Sequence, residues 1–220
     1  MLRVVAVADT HLYHTGFVVP PGDVFVHAGD LCAAGSLREL GLAAAWIVSL
    51  PHAHKFVVPG NHDWAFLRSP TQARALFEGR ATVLEDEGVT IDGVRFWGSP
   101  WQPEFGAWAY NLPRGRALAE KWALIPADTD VLITHGPPHG AGDRVSRGRR
   151  EGCLDLRARV AVVQPLVHFF GHIHEDGGLF SQDGVPQVNC TTWDCERGAT
   201  VFDVDVELGR AIPIAVPPRG

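Results

Sequence analysis

Five short apolar segments of this chain are each followed by a histidine, an aspartate or an asparagine, and no other feature of the sequence constrains the fold as strongly. Short runs rich in β-branched and aromatic residues are typical of strands that are buried on both faces of a sheet. In α/β proteins the functional site lies at the carboxyl ends of such strands. The segments cover residues 2–8, 23–28, 55–58, 130–133 and 166–170. Their polar ends therefore predict one site at one edge of the sheets.

The last segment leads through Gly171 into His172 and His174. Neutral imidazole is the commonest protein ligand for metal ions, and a turn after a buried strand holds two rings firmly. One His-x-His pair is weak support, because chance or surface placement also produces it. Taken singly, the strand-end aspartates and the asparagine would equally suit turns, and His135 would suit a buried, hydrogen-bonded histidine. Their joint occurrence at five strand ends favours a metal site.

Seven oxygen and nitrogen ligands stand at these strand ends. They are Asp9, His11, Asp30, Asn61, His135, His172 and His174. One ion takes about four to six ligands, so seven indicate two ions that share a bridging carboxylate. In two-metal sites the ions lie roughly 3.5–4 Å apart and clamp the attacking and leaving oxygens of a phosphoryl group. Carboxylate, amide and imidazole ligands without thiolate suit two divalent transition-metal ions (Mn²⁺, Fe, Co²⁺ or Zn²⁺) better than Mg²⁺ alone.

Helices are predicted between the early strands. Ser36 and Glu39 have the spacing of a capping box, and apolar residues at helical spacing follow up to Pro51. The pair Asp92-Gly93 predicts a hairpin within residues 82–98. Further helices are predicted from Ser69, over 115–124 and over 154–163, and further strands over 178–180, 186–190 and 199–207. This order predicts an α/β protein with mixed sheets, and the lack of a linker or repeat predicts one domain over residues 1–220.

Composition narrows the class of protein. With 220 residues, 46% of them hydrophobic, the chain can bury a substantial core. Its 19 Lys and Arg against 25 Asp and Glu give a net charge of −6, which argues against a polymeric nucleic acid as partner. Four cysteines without a CxxC pair indicate reduced thiols. The first apolar run is too short for a signal peptide and no run spans a membrane, so we expect a cytoplasmic protein without a membrane partner. The sequence leaves the oligomeric state open.

The strand-end motifs resemble those of the calcineurin-like metallophosphoesterases and occur in the same order. The motifs are Asp9-x-His11, Gly29-Asp30, Gly60-Asn61-His62-Asp63, Thr134-His135 and Gly171-His172-x-His174. A narrower likeness, to the metallophosphoesterase-domain-containing branch, covers residues 98–103, 111–115, 134–138 and 170–175. Studied members of that branch act as class III-type cyclic nucleotide phosphodiesterases or on other phosphodiesters. The resemblance implies a four-layer α-β-β-α sandwich, with two mixed β-sheets between helices and a two-metal site at one edge.

The resemblance also implies a role for each site residue. Asp9, His11 and His174 would hold the first ion, Asn61, His135 and His172 the second, and Asp30 would bridge them. A metal-bound hydroxide would be the nucleophile, with manganese the favoured metal. His62 would be the general acid that protonates the departing alkoxide. Asp63 would orient either that imidazole or the backbone of the turn.

Substrate contacts are predicted for Asn61, His62, Trp101, Asn111 and Arg114. The aromatic stretch 97–110 suits either a small core under a loop or a stacking wall for a nucleobase. The basic loop 143–152 suits either a solvated turn or a lid over substrate phosphate. The histidines outside the motifs are predicted to be core or surface residues, although two of them lie near motifs. They are His14 and His139, near motifs, and His27, His52, His54 and His168.

These patterns predict a metal-dependent phosphodiesterase that acts on small phosphodiesters, with cyclic nucleotides a plausible substrate. Alternatives are a nuclease, a phosphomonoesterase or a nucleotide pyrophosphohydrolase of the same superfamily, and a non-catalytic scaffold of this fold. Length and net charge argue against a nuclease, and the full set of ligands argues against a scaffold. Larger protein phosphatases carry Asp and Arg soon after the second motif. Residues 31–35 contain neither, which argues against protein-phosphatase activity.

Overall fold

The structure, a computed structural model, describes residues 1–218 and contains fourteen β-strands and five α-helices within that range. The strands are β1 Leu2–Val7, β2 Val24–His27, β3 His54–Val57, β4 Thr82–Val83, β5 Glu87–Ile91, β6 Val94–Ser99, β7 Gln102–Pro103, β8 Asn111–Leu112, β9 Val131–Thr134, β10 Val167–Phe170, β11 Gly178–Gln182, β12 Val185–Asn189, β13 Thr200–Asp205 and β14 Arg210–Ala215. The helices are α1 Leu37–Ser49, α2 Ala65–Arg68, α3 Pro70–Ala75, α4 Arg116–Trp122 and α5 Leu154–Val163.

Two six-stranded mixed sheets form the centre of the molecule. The first has the strand order β14-β13-β1-β2-β3-β4, and β1 to β4 run parallel while β13 lies antiparallel to β1. The second has the order β11-β12-β10-β9-β6-β5, in which β12, β10, β9 and β6 run parallel. All five predicted strands are therefore neighbours of other parallel strands, which places their carboxyl ends on the same side.

The sheets pack face to face, and alternate residues of each strand fill the space between them. Along β1, Val4 and Ala6 point into this core and belong to the same hydrophobic cluster as Phe169 and Val131 of the second sheet. Val5 and Val7 point outward, under the helices. Burial on both faces explains why these strands are continuous apolar runs rather than alternating ones.

Helices cover the outer face of each sheet, which completes four layers. α1, α2 and α3 pack on the first sheet, and α4 and α5 pack on the second. The helix α1 begins at the predicted capping box: the Ser36 hydroxyl accepts from the Glu39 N–H, and the Glu39 carboxylate accepts from the Ser36 N–H. The α-β-β-α sandwich with two mixed sheets is thus confirmed.

The structure differs from the sequence expectations in several of the shorter elements. The hairpin at Asp92-Gly93 is confirmed, but residues 82–83 belong to the first sheet, because the chain turns at Asp86, with a φ of 56°. The aromatic stretch contains the short strand β7, which pairs in parallel with β8 immediately after the stretch. The strand β14 was not expected, since it is a half-exposed edge strand that contains Pro213.

None of the helices within residues 1–218 has both the length and the apolar character needed to cross a membrane.

Candidate metal centre

The structure brings all seven predicted ligands together at one edge of the sandwich. Four of them follow strands of the first sheet and three follow strands of the second. Hydrogen bonds join the two sets across the sheets: the His172 N–H donates to both carboxylate oxygens of Asp9, at 3.1 and 3.0 Å. The Gly171 N–H donates to the carbonyl oxygen of His135 at 3.0 Å. The turns after β1, β9 and β10 are therefore fixed to one another.

Three overlapping groups of ligand atoms lie in this cluster, each with all its atoms within 4.8 Å of one another. They are Asp9, His11 and His174; His11, Asp30 and His62; and Asp30, His135 and His172. Asp30 is shared by two of the groups, and its Oδ2 lies 3.4 Å from Nε2 of His11 and 3.5 Å from Nε2 of His135. A carboxylate between two histidines that belong to different groups has the placement that a bridging ligand needs.

The surroundings of His135 are suited to a cation. Its Nδ1 lies 2.9 Å from the carbonyl oxygen of Ala28, so this nitrogen carries a hydrogen. Its Nε2 lies 2.8 Å from Oδ1 of Asn61 and also faces Asp30. A neutral imidazole has only one N–H, so its second nitrogen would meet two acceptors with a lone pair. Burial disfavours the charged ring, but Asp30 outweighs burial and raises the pKa of His135 to about 9. Either a proton or a metal ion has to occupy this position.

The ring of His11 has a comparable arrangement. Nδ1 is 2.6 Å from Oδ1 of Asp194, and Nε2 is buried without a hydrogen-bond partner. Burial disfavours the charged ring, but contacts with Asp30 and Asp9 outweigh it and raise the pKa of His11 to about 9. Nε2 of His11 and the carboxylate of Asp30 are both ligands that divalent metal ions accept, and they face each other here. The residues present therefore fit the metal ions that the sequence predicts.

His172, in contrast, is kept neutral. Burial is the main cause, and the charge on His135 adds to it, so that the pKa of His172 falls to about 3. Only the neutral form of imidazole has a lone pair for a metal ion. His172 is therefore in the protonation state of a ligand at neutral pH.

The backbone of the cluster is strained. Asp9, His11, Asp30 and His172 all have positive φ angles, between 41° and 73°. Such angles are uncommon in residues other than glycine and concentrate at functional sites. The neighbouring glycines are required by close approach: a Cβ on Gly29 would lie 2.3 Å from Nδ1 of His135.

His62 lies at the open side of the cluster and is half-buried. Its Nδ1 lies 2.6 Å from the carbonyl oxygen of Ala33, and its backbone N–H donates to Oδ1 of Asp30 at 2.8 Å. Trp108 stacks on the ring at a centroid distance of 4.2 Å. These contacts fix the plane of the imidazole and leave Nε2 for a ligand or a metal ion.

The structure resolves the two interpretations of Asp63 in favour of the backbone. Its fully buried carboxylate accepts from the N–H groups of Gly60, Leu31 and Cys32, at 2.8, 3.2 and 2.9 Å. The imidazole of His62 is oriented by Ala33 instead. The contacts of Asp63 hold two ligand-bearing turns together, and a catalytic role for it stays a prediction.

Two of the predicted substrate contacts have structural partners away from the metal cluster. The indole of Trp101 donates to Asp86 at 2.9 Å and lies under the ammonium of Lys121, and its ring packs on the core. The amide of Asn111 donates to the carbonyl oxygen of Phe105 at 3.0 Å. Both side chains support the loop, and a substrate contact by either of them stays a prediction.

A cavity of about 460 Å³ adjoins the metal cluster at His172 and His174. Its walls include Phe105, Trp193 and the predicted contact Arg114. The guanidinium of Arg114 donates to the carbonyl oxygens of Glu151 and Gly152, so it also anchors the basic loop. Phe105 belongs to the aromatic stretch for which a stacking wall was one of the two interpretations. Trp193 has no such signal in the sequence, because it lies in a turn far from the motifs.

The basic loop is held down at one end of this cavity. Arg144 donates its N–H to Asp176 at 3.0 Å, and Ser146 donates to Glu175 at 3.2 Å. Arg150 pairs with the buried carboxylate of Asp143. Arg149 lines the cavity, so the part of the loop between these anchors faces the site.

The remaining histidines are core residues or lie between core and surface. His27 and His168 are fully buried, and burial lowers the pKa of each to about 3. His52 is buried against the carbonyl oxygen of Pro20, and His54 is half-buried in β3. His14 stacks on Trp46, and His139 is half-buried; neither lines the cavity. The prediction for these residues agrees with their places in the structure.

Comparisons with known proteins agree with this fold and site. The family model of the calcineurin-like phosphoesterases matches residues 2–176, which contain all seven candidate ligands and His62. Metallophosphoesterase domain-containing protein 1 of Homo sapiens is 40% identical over 213 residues, which cover 86% of this chain and 65% of that protein. A UPF0046 protein of Caenorhabditis elegans is 38% identical over 210 residues, which cover 90% of this chain and 71% of that protein.

The fold itself recurs in a more distant protein. The crystal structure of TT1561 of Thermus thermophilus matches with a TM-score of 0.61 over 96% of this chain and 97% of that one. The sequences are 15% identical, so this likeness concerns the fold alone. This chain spans 65% of the length of its human relative. Because the family model covers every strand-end turn of the site and the human relative shares 40% of its aligned residues, this chain belongs to the calcineurin-like phosphoesterase family.

Proposed function

We propose that this chain is a metal-dependent phosphodiesterase that hydrolyses small phosphodiesters, with cyclic nucleotides among its candidate substrates. The observation that carries the proposal is the convergence of three candidate ligand atoms on one buried position. Oδ1 of Asn61 and Oδ2 of Asp30 both face Nε2 of His135. This position needs a positive charge, which a proton on Nε2 supplies in the absence of metal and a divalent cation would supply in its place.

The seven ligands divide into two sets that share Asp30. Asp9, His11 and His174 would hold one ion, and Asn61, His135 and His172 would hold the other. When bound, two divalent ions, for which Mn²⁺ is our first choice, would lower the pKa of water to about 7 and neutralise charge on the phosphoryl group. The chain itself contributes rigidity, because hydrogen bonds link the ligand-bearing turns of both sheets.

His62 is the residue we propose as general acid. Its Nδ1–H donates to the carbonyl oxygen of Ala33, so the proton that leaves the ring is the one on Nε2. Its ring centroid lies 4.8 Å from that of His11, so a phosphate held by the ligands would lie beside it. Protonation of the leaving oxygen by a positioned imidazole contributes about 10²–10⁴-fold to the rate. His62 also belongs to one of the three ligand groups, and the alternative role as a ligand is separated by experiment below.

The cavity beside the cluster supports a diester rather than a monoester. A diester has two organic groups, one of which leaves while the other has to be accommodated. Phe105 and Trp193 offer an apolar wall for that second group, next to His172 and His174. The volume of about 460 Å³ lies within the range of small-molecule pockets, roughly 300–1,000 Å³.

Charge at the cavity argues against a nuclease. Glu104, Glu151 and Glu175 line it, and the guanidiniums of Arg114 and Arg149 lie within 3.8 and 2.8 Å of the carboxylate of Glu151. A nucleic-acid strand needs uncompensated basic groups along its backbone. The cavity walls offer few such basic groups, so a small substrate suits this cavity better than a nucleic-acid strand does.

The test is a comparison of two chromogenic esters on Mn²⁺-reconstituted protein. We expect kcat/KM for bis(p-nitrophenyl) phosphate to exceed that for p-nitrophenyl phosphate, and we expect a panel of cyclic nucleotides to contain a substrate. A clear advantage for the monoester would place the enzyme among phosphatases. The variant Asp30→Asn should abolish both activities, whereas Glu120→Gln, at an exposed position of α4, should leave them unchanged.

A further inference from the structure

The segment after β12 crosses from the second sheet to the first. Cys190 donates its N–H to Phe170 in the second sheet at 2.7 Å. Two residues later, Thr192 donates to the carbonyl oxygen of Ala8, after β1 in the first sheet, through its N–H at 2.9 Å and its hydroxyl at 2.8 Å. The Asp194 N–H then donates to the carbonyl oxygen of Asp9 at 3.0 Å. The turn that contains Asp194 is therefore bound to the turn that carries the first metal ligands.

This crossing brings Asp194 to the ring of His11. Oδ1 of Asp194 lies 2.6 Å from Nδ1 of His11, although the two residues are 183 positions apart in the sequence. The contact is short for a hydrogen bond between nitrogen and oxygen, as expected when the acceptor is ionised. Asp194 itself lies outside the family model's match, which ends at residue 176.

The hydrogen bond determines which nitrogen of His11 is available. With a hydrogen on Nδ1, directed at Asp194, Nε2 is the nitrogen that could bind an ion in place of a proton. That atom is buried, has no hydrogen-bond partner and lies 3.4 Å from Oδ2 of Asp30. Outer carboxylates that hold ligating histidines in this way fix the tautomer and raise the basicity of the ligand.

The group that accepts the Nδ1 hydrogen differs between His11 and His135. Nδ1 of His135 is held by a neutral group, the carbonyl oxygen of Ala28. His11 is held by a carboxylate, and the side chain of Asp194 is 39% exposed. Solvent can therefore hydrate the charge of Asp194 while Oδ1 remains on the ring.

We infer that Asp194 is a positioning residue that holds His11 with Nε2 directed at the first metal ion. The inference rests on the proposed two-metal site and extends it beyond the strand-end motifs to one more turn of the chain. It also places Asp194, which supports the ligand His11, close to the cavity, since the neighbouring Trp193 forms part of the cavity wall.

The experiment compares Mn²⁺ binding by the whole chain and its variants in isothermal titration calorimetry. Asp194 has a φ of 57°, which asparagine tolerates better than other residues, so Asp194→Asn keeps the backbone and the shape of the side chain. Asp194→Ala removes the acceptor altogether. The matched control is Glu196→Gln, an exposed acid of the same turn.

We expect the wild type to bind two ions and Asp194→Ala to bind one of them about 10–100-fold more weakly, with the other unchanged. Asp194→Asn should lie between them, because its amide oxygen still accepts from Nδ1–H, and Glu196→Gln should match the wild type. In Zn²⁺-loaded protein, ¹H–¹⁵N spectra should show a His11 Nδ1–H that exchanges slowly with water in the wild type and faster in both Asp194 variants.

A structural role would give another result. If the Asp194 variants lost stability in EDTA but bound both ions as the wild type does, the inference would be wrong. Unchanged affinity together with unchanged Nδ1–H exchange would overturn it as well. A wild type that binds fewer than two ions would instead contradict the proposed function, and this result is seen before any variant is measured.

Discussion

The carboxylate of Asp63 accepts a hydrogen bond from the N–H of Cys32 at 2.9 Å, and so joins the turn after β3 to the turn after β2. Two further N–H groups, of Leu31 and Gly60, donate to the same carboxylate. All three contacts need an acceptor, and an ionised carboxylate offers only acceptors. The side chain is wholly buried, so water cannot replace a lost partner.

We therefore expect Asp63→Asn to unfold more easily than the wild type. The amide nitrogen of asparagine would face a backbone N–H, and each unsatisfied buried donor costs about 1–3 kcal/mol. Urea unfolding in EDTA measures this loss without a contribution from metal binding. If stability were unchanged while kcat fell, Asp63 would act on the reaction through His62, which is the role that its contacts do not support.

Metal removal should lower the stability of the whole molecule. Bound cations would join side chains from turns of both sheets, among them His11, Asp30 and His135, and would do so only in the folded chain. An ion at 100 times its dissociation constant stabilises the folded state by about 2.7 kcal/mol, or roughly 5–10 °C for a chain of this size. Differential scanning calorimetry with Mn²⁺ and with EDTA tests this, and elemental analysis should find close to two ions per chain.

The variant Asp30→Asn tests whether the site holds one ion or two. It weakens the carboxylate that faces both His11 and His135, so we expect the metal content to fall towards one equivalent or below. A wild type that never exceeds one equivalent, together with unchanged affinity in Asp30→Asn, would exclude the two-metal site.

Acid should destabilise the protein through His168. The ring is fully buried between Thr134 and Gln187, and burial lowers its pKa to about 3. In the unfolded chain its pKa is about 6.5. Below that value the unfolded state binds a proton that the folded state does not, so the stabilising difference is complete above about pH 6.5 and is lost as the pH falls towards 3.

The variant His168→Gln isolates this effect. Other titrating groups are common to both proteins and cancel in the difference between them. Although the variant starts less stable at pH 7, its unfolding free energy should fall less steeply than that of the wild type, by up to about 1.4 kcal/mol per pH unit. Parallel urea titrations between pH 7 and 4.5 provide the comparison. Equal slopes would mean that His168 takes up its proton in the folded state.

Much of the site could be predicted because its ligands stand next to strands. A run such as residues 166–170 is apolar for one reason, burial on both faces, and His172 follows it at a fixed distance in sequence. The prediction needed only the rule that parallel strands end on the same side. The backbone strain at His172 and Asp30 is a consequence of the turns and has no signature in the residue types themselves.

The residues that the sequence did not yield are joined to the site by tertiary structure alone. Asp194 reaches His11 because β12 ends beside β1, which depends on the packing of two sheets. Trp101 and Phe105 belong to one aromatic stretch, yet the indole of Trp101 packs on the core while Phe105 lines the cavity. In an irregular loop no period tells which side chain points outward, so such assignments need the structure.

His62 is the residue whose replacement best separates mechanism from metal binding. If it is the general acid, His62→Ala should keep both ions while kcat falls about 10²–10⁴-fold. The loss should depend on the leaving group. p-Nitrophenolate is stable as an anion and needs little protonation, whereas the ribose alkoxide of a cyclic nucleotide needs a proton. We therefore expect a larger loss with a cyclic nucleotide than with bis(p-nitrophenyl) phosphate.

Single-turnover rates and metal content measured on the same samples decide between three roles for His62. Equal losses on both substrates would indicate that the ring binds or positions the phosphate, as its place beside His11 would also allow. Loss of an ion would make it a ligand, in keeping with its distance from Asp30 and His11. The control is Trp108→Phe, which keeps an aromatic ring to stack on His62 but changes its size. Because the hydrogen bond to Ala33 still holds the imidazole, this variant should retain both ions and lose little of kcat.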